Sequence, residues 1–424
     1  MQVSRCIQAW RHVYRSTLCL VTAGVVASCG PAPSPSALDF AGEWPQWRGP
    51  ERNGHAVVEA VRWPDGGLRE AWRCSVGPGF SVVSVAGGRL FTTGAAGGSE
   101  WLLALDAATG DELWRSRLGT RYESFHGDGP RSTPAVSGDV VVALGAFGDL
   151  AAFRVGDGDE LWRVPLFEMS GGRRESWGFA SSPLIDGDRV FVHGASGVSA
   201  LAVSLGGGEI LWQIAVGPGG YSSPRLLEIG GRRQLVSFLG AGLFGLEPSS
   251  GEILWRFDYT TFYDLHAADP VVVAPGQLFI SSNYATGAAL VAVEGGEARA
   301  LWRNPAVRNH WSSSVLVDGT IYGFDKTFLV AVDPATGEVL WKQRGFGEGS
   351  LLALEGAGEA GLLISGEDGD IALALASPEA YEERGRGAIG IDGPVRTAPV
   401  LVSGLLFVRG KEEIVALRWD AGPS

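Results

Sequence analysis

Three of the six histidines, His126, His266 and His310, lie in short segments that also gather aromatic, arginine and asparagine side chains. The segments are YESFHGDGPRSTP (122–134), ESWGFASSP (175–183), GPGGYSSP (217–224), TTFYDLHAADP (260–270), RNHWSSS (308–314) and GPVRTAP (393–399). Indole, phenol, imidazole and guanidinium groups together suit stacking on, and hydrogen bonding to, a small ligand or a peptide. The candidate set is Tyr122, His126, Arg131, Trp177, Tyr221, Tyr263, His266, His310, Trp311 and Arg396. The same segments could instead simply line and hydrate a channel. A metal centre is not supported, because the histidines show neither H-x-H nor H-x-x-x-H spacing. Asp128, Asp264 and Asn309 could offer oxygen ligands, but nothing pairs them into a site. G-x-S-x-G is absent, and glycine runs such as GAAGGSE (94–100) follow strand patterns without opening helices, so they are not phosphate loops. No catalytic set emerges.

Segments so far apart need a scaffold that brings equivalent positions together, and the chain carries a repeat. VDPATGEVLW (332–341) recurs as LDAATGDELW (105–114), LEPSSGEILW (246–255) and VSLGGGEILW (203–212). The tryptophans Trp72, Trp114, Trp162, Trp212, Trp255, Trp302 and Trp341 follow one another at intervals of 39–50 residues. A period of that length, with four short strands per unit, predicts propeller blades. Glycine stands four residues before the tryptophan in most units, and Ala298 interrupts the pattern before Trp302. The D-x-x-T-G stretch is turn chemistry between a third and a fourth strand. The tryptophan then lies on the outermost strand, where its indole is placed to pack on the neighbouring blade. The reading is structural rather than ligand-stacking.

Innermost strands begin near Ser81, Ser132, Ser181, Ser222, Asp269, Ser312, Leu351 and Thr397, which predicts an all-β, eight-bladed β-propeller of four-stranded antiparallel blades. The seventh unit has Glu382 and Glu383 about where its tryptophan belongs. The eighth stops after three strands, and LREAWRCSV (68–76) has a tryptophan but no blade before it. Pairing that N-terminal strand with the last blade closes the ring and removes exposed sheet edges.

The A-x-D-x-x-T-G-x-x-x-W unit, best kept at 104–114 and 331–341, resembles the repeat of the pyrroloquinoline-quinone (PQQ) type propellers. That family includes quinoprotein alcohol dehydrogenases and BamB-like exported lipoproteins of outer-membrane protein assembly. The resemblance covers about residues 68–420. The leader WPQWRGPERNG (44–54) resembles that of many exported proteins of this kind and is expected to pack across one face of the ring. In the dehydrogenases, the family pattern holds PQQ between a tryptophan floor and a Cys-Cys disulfide, with Ca²⁺ on Glu and Asn beside a catalytic Asp. This chain has no Cys-Cys, its Cys74 lies in the closing strand, and it lacks long insertions between blades. The residues therefore support neither PQQ nor Ca²⁺. The resemblance implies a non-catalytic scaffold for protein–protein contact. The alternatives are a PQQ-dependent enzyme and a binder of a small envelope ligand or sugar.

The balance of 34 Lys+Arg against 47 Asp+Glu gives a net charge of −13, with no basic block. Nucleic acid is disfavoured as a partner, because phosphate contacts supply most of that affinity. Residues 1–28 combine Arg5, Arg11 and Arg15 with the apolar run LCLVTAGVVASC, which describes a secretory signal too short to span a bilayer comfortably. Val26-Ala27-Ser28-Cys29 resembles a lipobox, which makes Cys29 the expected lipidation site and the lipid the expected membrane contact. Residues 29–43 read as a Pro/Ser-rich tether, and 44–424 as the propeller. Cys6 and Cys19 fall in the leader, which leaves Cys74 without a disulfide partner. The expected product is an outer-membrane-anchored, periplasm-facing monomer that meets envelope proteins.

Overall fold

The computed structural model describes residues 42–284, 286–305 and 307–419. The signal peptide, Cys29 and nearly all of the tether lie outside the described residues. Eight antiparallel sheets follow one another, each with the period-two alternation of short Val-, Leu- and Ala-rich strands. The first blade is Ser84–Ala86, Arg89–Ala96, Ser99–Asp106 and Glu112–Thr120. Innermost strands of the next six are Ala135–Ser137, Leu184–Asp186, Arg225–Ile229, Val271–Ala274, Val315–Val317 and Ser350–Glu355. The eighth is composite: Val400–Val402, Leu405–Arg409 and Glu413–Arg418 are completed by Arg69–Ser75, which pairs antiparallel with Glu413–Arg418. The only helix among the described residues is the single turn Leu166–Met169.

The repeat motif has a direct physical role. Gly110, Gly158, Gly208, Gly251 and Gly337 take positive φ near 75° and lie flat against the tryptophan of the preceding blade. A Cβ there would stand within 2.5–2.8 Å of the indole. The indole N–H groups of Trp72, Trp114, Trp162, Trp212, Trp302 and Trp341 donate to Ala107, Val155, Leu205, Pro248, Pro334 and Ser377 carbonyls of the next blade. Glycine is thus required twice, by the turn and by the ring laid over it. Trp255 is the exception, since its N–H donates to Gln234 Oε1 of its own blade at 2.6 Å. The missing glycine at Ala298 is the counterpart of this inward turn. In the seventh blade the register position that tryptophan occupies elsewhere, just past the bulge, is Gly385, opposite Leu373; Glu382 and Glu383, expected there, pair with Leu375 and Ala374 before the bulge. Its outer strand is covered instead by Trp63, which lies on Gly385 and meets Trp419 edge-on at 5.8 Å.

The leader does not lie flat across a face of the ring; it enters the central channel from the end of the strand hairpins and turns back along the seventh blade to the same end. Gly42 N–H donates to Ser403 Oγ, Trp44 bridges Val85, and Val136 N–H donates to Pro45. Arg52 donates to Ser182 and Pro183 carbonyls, Arg225 to Glu51, and Arg48 to Ser314. His55–Val57 then adds to the seventh blade as a parallel fifth strand. The leader thereby touches the inner edge of all eight blades. Arg48 and Arg52 adopt left-handed φ of 62° and 51°, a conformation that costs on the order of 1 kcal/mol each and that surrounding bonds must hold.

Candidate functional site

Loops joining each outer strand to the next inner strand all emerge on one face, opposite the D-x-x-T-G turns. Between them is a cavity of about 150 Å³. Trp47 of the leader helps to line it, and the leader closes the channel beyond, so the funnel is blind. The indole N–H of Trp47 donates to Asp269 Oδ2 at 2.6 Å. Around the wall runs a belt of hydrogen bonds in which each backbone N–H meets the next blade's side chain. It passes from Val82 to Thr133, Thr133 to Ser182, Ser182 to Ser223, Ser223 to Asp269 and Asp269 to Ser313, at 2.8–3.0 Å. These bonds explain the recurrent S-S-P and S-T-P triplets.

Of the predicted residues, His126, Arg131, Trp177, Tyr221, Trp311 and Arg396 line the cavity. Tyr122 is buried beneath Arg131, whose guanidinium lies 4.4 Å from its ring centre, and its hydroxyl donates to Ser176 O. Tyr263 is half exposed on the rim, 6.0 Å from Trp177. His310 stands behind Trp311, ring on ring at 3.6 Å. His266 is not part of the funnel. It is fully buried, stacked on Phe238 at 4.2 Å, and held through Nδ1 to Leu239 O. Burial pushes its pKa down to about 4, so it is a neutral core side chain.

The structure adds residues that sequence reasoning missed. Phe80 and Trp47 line the cavity. Glu348 accepts from His310 Nδ1 at 2.9 Å and from Trp311 Nε1 at 2.6 Å, while Tyr284 meets His310 Nε2 at 2.9 Å. The His310 hydrogen bond, first, holds the Glu348 carboxyl below its ordinary range. This relay fixes the plane of Trp311. Glu348 belongs to the loop leading into the seventh blade, so alignment by repeat could have found it. On the other side of the funnel, Glu100 accepts from Tyr122 N–H and Ala146 N–H, tying the 121–131 loop to the first two blades. Burial pushes its carboxyl up to about 7.

Aromatic rings form a continuous arc along the mouth. Phe125, His126, Trp177, Tyr263, Tyr284, His310 and Trp311 succeed one another with centroids 3.6–6.0 Å apart. Phe125 is fully exposed, and Phe262, against Tyr263 at 4.7 Å, is 82% exposed. The cavity wall carries two arginines, a histidine and hydroxyls but no carboxylate. That donor set does not fit Ca²⁺.

Comparison with known proteins accords with this architecture. Residues 54–165 and 98–343 match the family described as outer membrane protein assembly factor BamB. The protein of that name from Burkholderia pseudomallei is 27% identical over 290 residues, which span 65% of this chain and 69% of that one. The one from Shewanella oneidensis is 25% identical over 273 residues, spanning 61% of this chain and 62% of its own length. In fold, the crystal structure of BamB from Moraxella catarrhalis superposes with a TM-score of 0.61 at 16% identity, covering 83% of this chain and 99% of that one.

Proposed function

Because the chain belongs to the BamB family of PQQ-like repeat propellers, we propose that it is a non-catalytic scaffold of the cell envelope that contacts protein partners in outer-membrane protein assembly. The observation that carries this reading is the aromatic arc with Phe125 and Phe262 at its exposed edge. Monomeric soluble proteins rarely leave such rings bare unless a partner covers them. The ring behind the arc is rigid, and its N-terminal segment is spent on closure. It works by presenting a fixed surface, as a monomer, without PQQ or Ca²⁺. In this reading Cys29 carries the lipid, so that the protein is held at the outer membrane and faces the periplasm.

A photo-crosslinking residue at position 262, in the full-length protein within native envelopes, tests the partner. Adducts with components of the outer-membrane protein assembly machinery are expected. Adducts with none of them, from protein that is folded and membrane-bound, overturn the reading. Cys29→Ala tests the anchor separately: the variant is expected in the soluble envelope fraction, and unchanged membrane association refutes lipidation at that residue.

A further inference from the structure

The funnel contains a charge that the scaffold role does not use. Arg131 is largely removed from solvent, and burial lowers its pKa. Its guanidinium is packed against Tyr122 at 4.4 Å and Phe80 at 5.6 Å. Two N–H groups are spent on the carbonyls of Gly129 and Gly127. A guanidinium has five, so three are left over, on a residue that lines the cavity. Among the described residues no carboxylate forms an ion pair with it. Glu100 and Asp128 act on it only at longer range: both oxygens of Glu100 are engaged by backbone amides, and Asp128 is paired with Arg121.

Other buried arginines differ. Arg48, Arg52 and Arg225 all feel the carboxylate of Asp269. Arg409 spends its guanidinium on Thr92, Thr93 and Gly77 inside the blade junction. Arg396, also at the cavity, has Glu367 at 3.5 Å. Of these, Arg131 alone brings a largely shielded cation with no ion-pair partner to the open wall, and such a charge is costly until an anion reaches it. The surrounding lining is largely aromatic, and a cavity of about 150 Å³ is of the size that accepts one six-membered ring.

We propose that the funnel binds a single-ring carboxylate, with its ring among Trp47, Trp177 and Trp311 and its carboxylate on Arg131. One unmatched positive charge suits a monoanion rather than a phosphate dianion. The carboxylate could belong to a free small acid or to the aromatic C-terminal residue of a polypeptide, which present the same group. The proposal does not rest on the scaffold reading, since the cavity lies inward of the exposed rim.

The test uses the full-length protein in detergent. Binding of 3-phenylpropionate and of its uncharged amide is followed by tryptophan fluorescence and calorimetry. The acid is expected to bind at least about tenfold more tightly than the amide, the usual gain of a charge-assisted over a neutral contact. Arg131→Met abolishes that preference, and Arg131→Lys keeps part of it. Because Arg131 also ties its own loop, Trp177→Leu is the second variant: it weakens acid and amide alike and leaves their ratio intact. Equal affinity for acid and amide, an unchanged preference in Arg131→Met, or no saturation by either probe at millimolar concentration overturns the proposal. An acetylated peptide ending in phenylalanine with a free carboxyl assigns the source. Tighter binding than phenylpropionate points to a chain terminus, and equal or weaker binding to a free acid. Crosslinking at position 262 is unaffected by Arg131→Met, so the two readings fail independently.

Discussion

Six of the eight blade junctions are held by one device, and two are not. At the six, a tryptophan donates its N–H across the gap, and at five of them it also lies on the next blade's turn glycine. Between the fourth and fifth blades Trp255 has turned inward, and Arg303 spans the junction instead, 4.8 Å over Phe257. Between the seventh and eighth, Trp63 arrives from the leader to cover Gly385. A repeat can propagate a contact only to the next copy, so the place where the ring meets itself needs a part from outside the series. Here that part is the segment from Trp44 to Ser75, which also fills the channel.

The largest break in this comparison is deletion of residues 68–76. It strips the eighth blade of its outer strand and leaves an edge next to the first blade; loss of the cooperative thermal transition by circular dichroism is expected. Retention of a sharp transition means that the ring does not depend on this seam. The next effect is one of pH at a regular junction. The folded protein keeps a proton on Glu100 up to about pH 7, whereas the unfolded chain releases it near 4.5. Folding therefore gains from that proton throughout this window, and stability falls as pH rises from 4.5 to 7, by up to about 3 kcal/mol. Denaturation from pH 4.5 to 8 should show this slope in the native protein and a flatter profile in Glu100→Gln. Trp63→Ala uncovers the seventh blade and is expected to cost about 2 kcal/mol in urea unfolding. The smallest effect separates two glycines of like φ. Gly110→Ala drives a Cβ to 2.6 Å from Trp72, whereas at Gly296 the nearest atom is 3.8 Å away. Gly110→Ala should be the more destabilising by about 1 kcal/mol; equal losses would show that the turn, and not the indole, sets the requirement for glycine.

The ring was readable because its determinants are local and periodic: an acidic turn, a glycine and a tryptophan recur within ten residues, and their failures at Ala298 and in the seventh blade's outer strand fall where the junctions change. The channel was not readable, because the leader's partners are remote. Trp47 meets Asp269 across 222 residues and Arg48 meets Ser314 across 266, and nothing in WPQWRGPERNG says that its arginines go inward. The funnel wall lay between these extremes. Position within the repeat placed Trp177, Tyr221 and Trp311 on one face. It could not tell that the His266 side chain turns behind its loop toward Phe238 while its neighbours turn forward. Tyr284 was missed because it comes from a second set of turns that emerges on the same face.

The route of the leader also gives the ring two unlike ends. Its described start is tied at Gly42 to Ser403 and, through Glu43, to Gly87. Both partners lie in hairpins between the first and second strands of their blades, at the end opposite the mouth. Cys29 lies 13 residues before Gly42, a reach of at most about 45 Å even when fully extended. The described chain begins at the sealed underside of the ring, the end opposite the mouth. Since the channel is blocked, whatever docks at the mouth must approach and depart by the same side, and no polypeptide can be threaded through the ring.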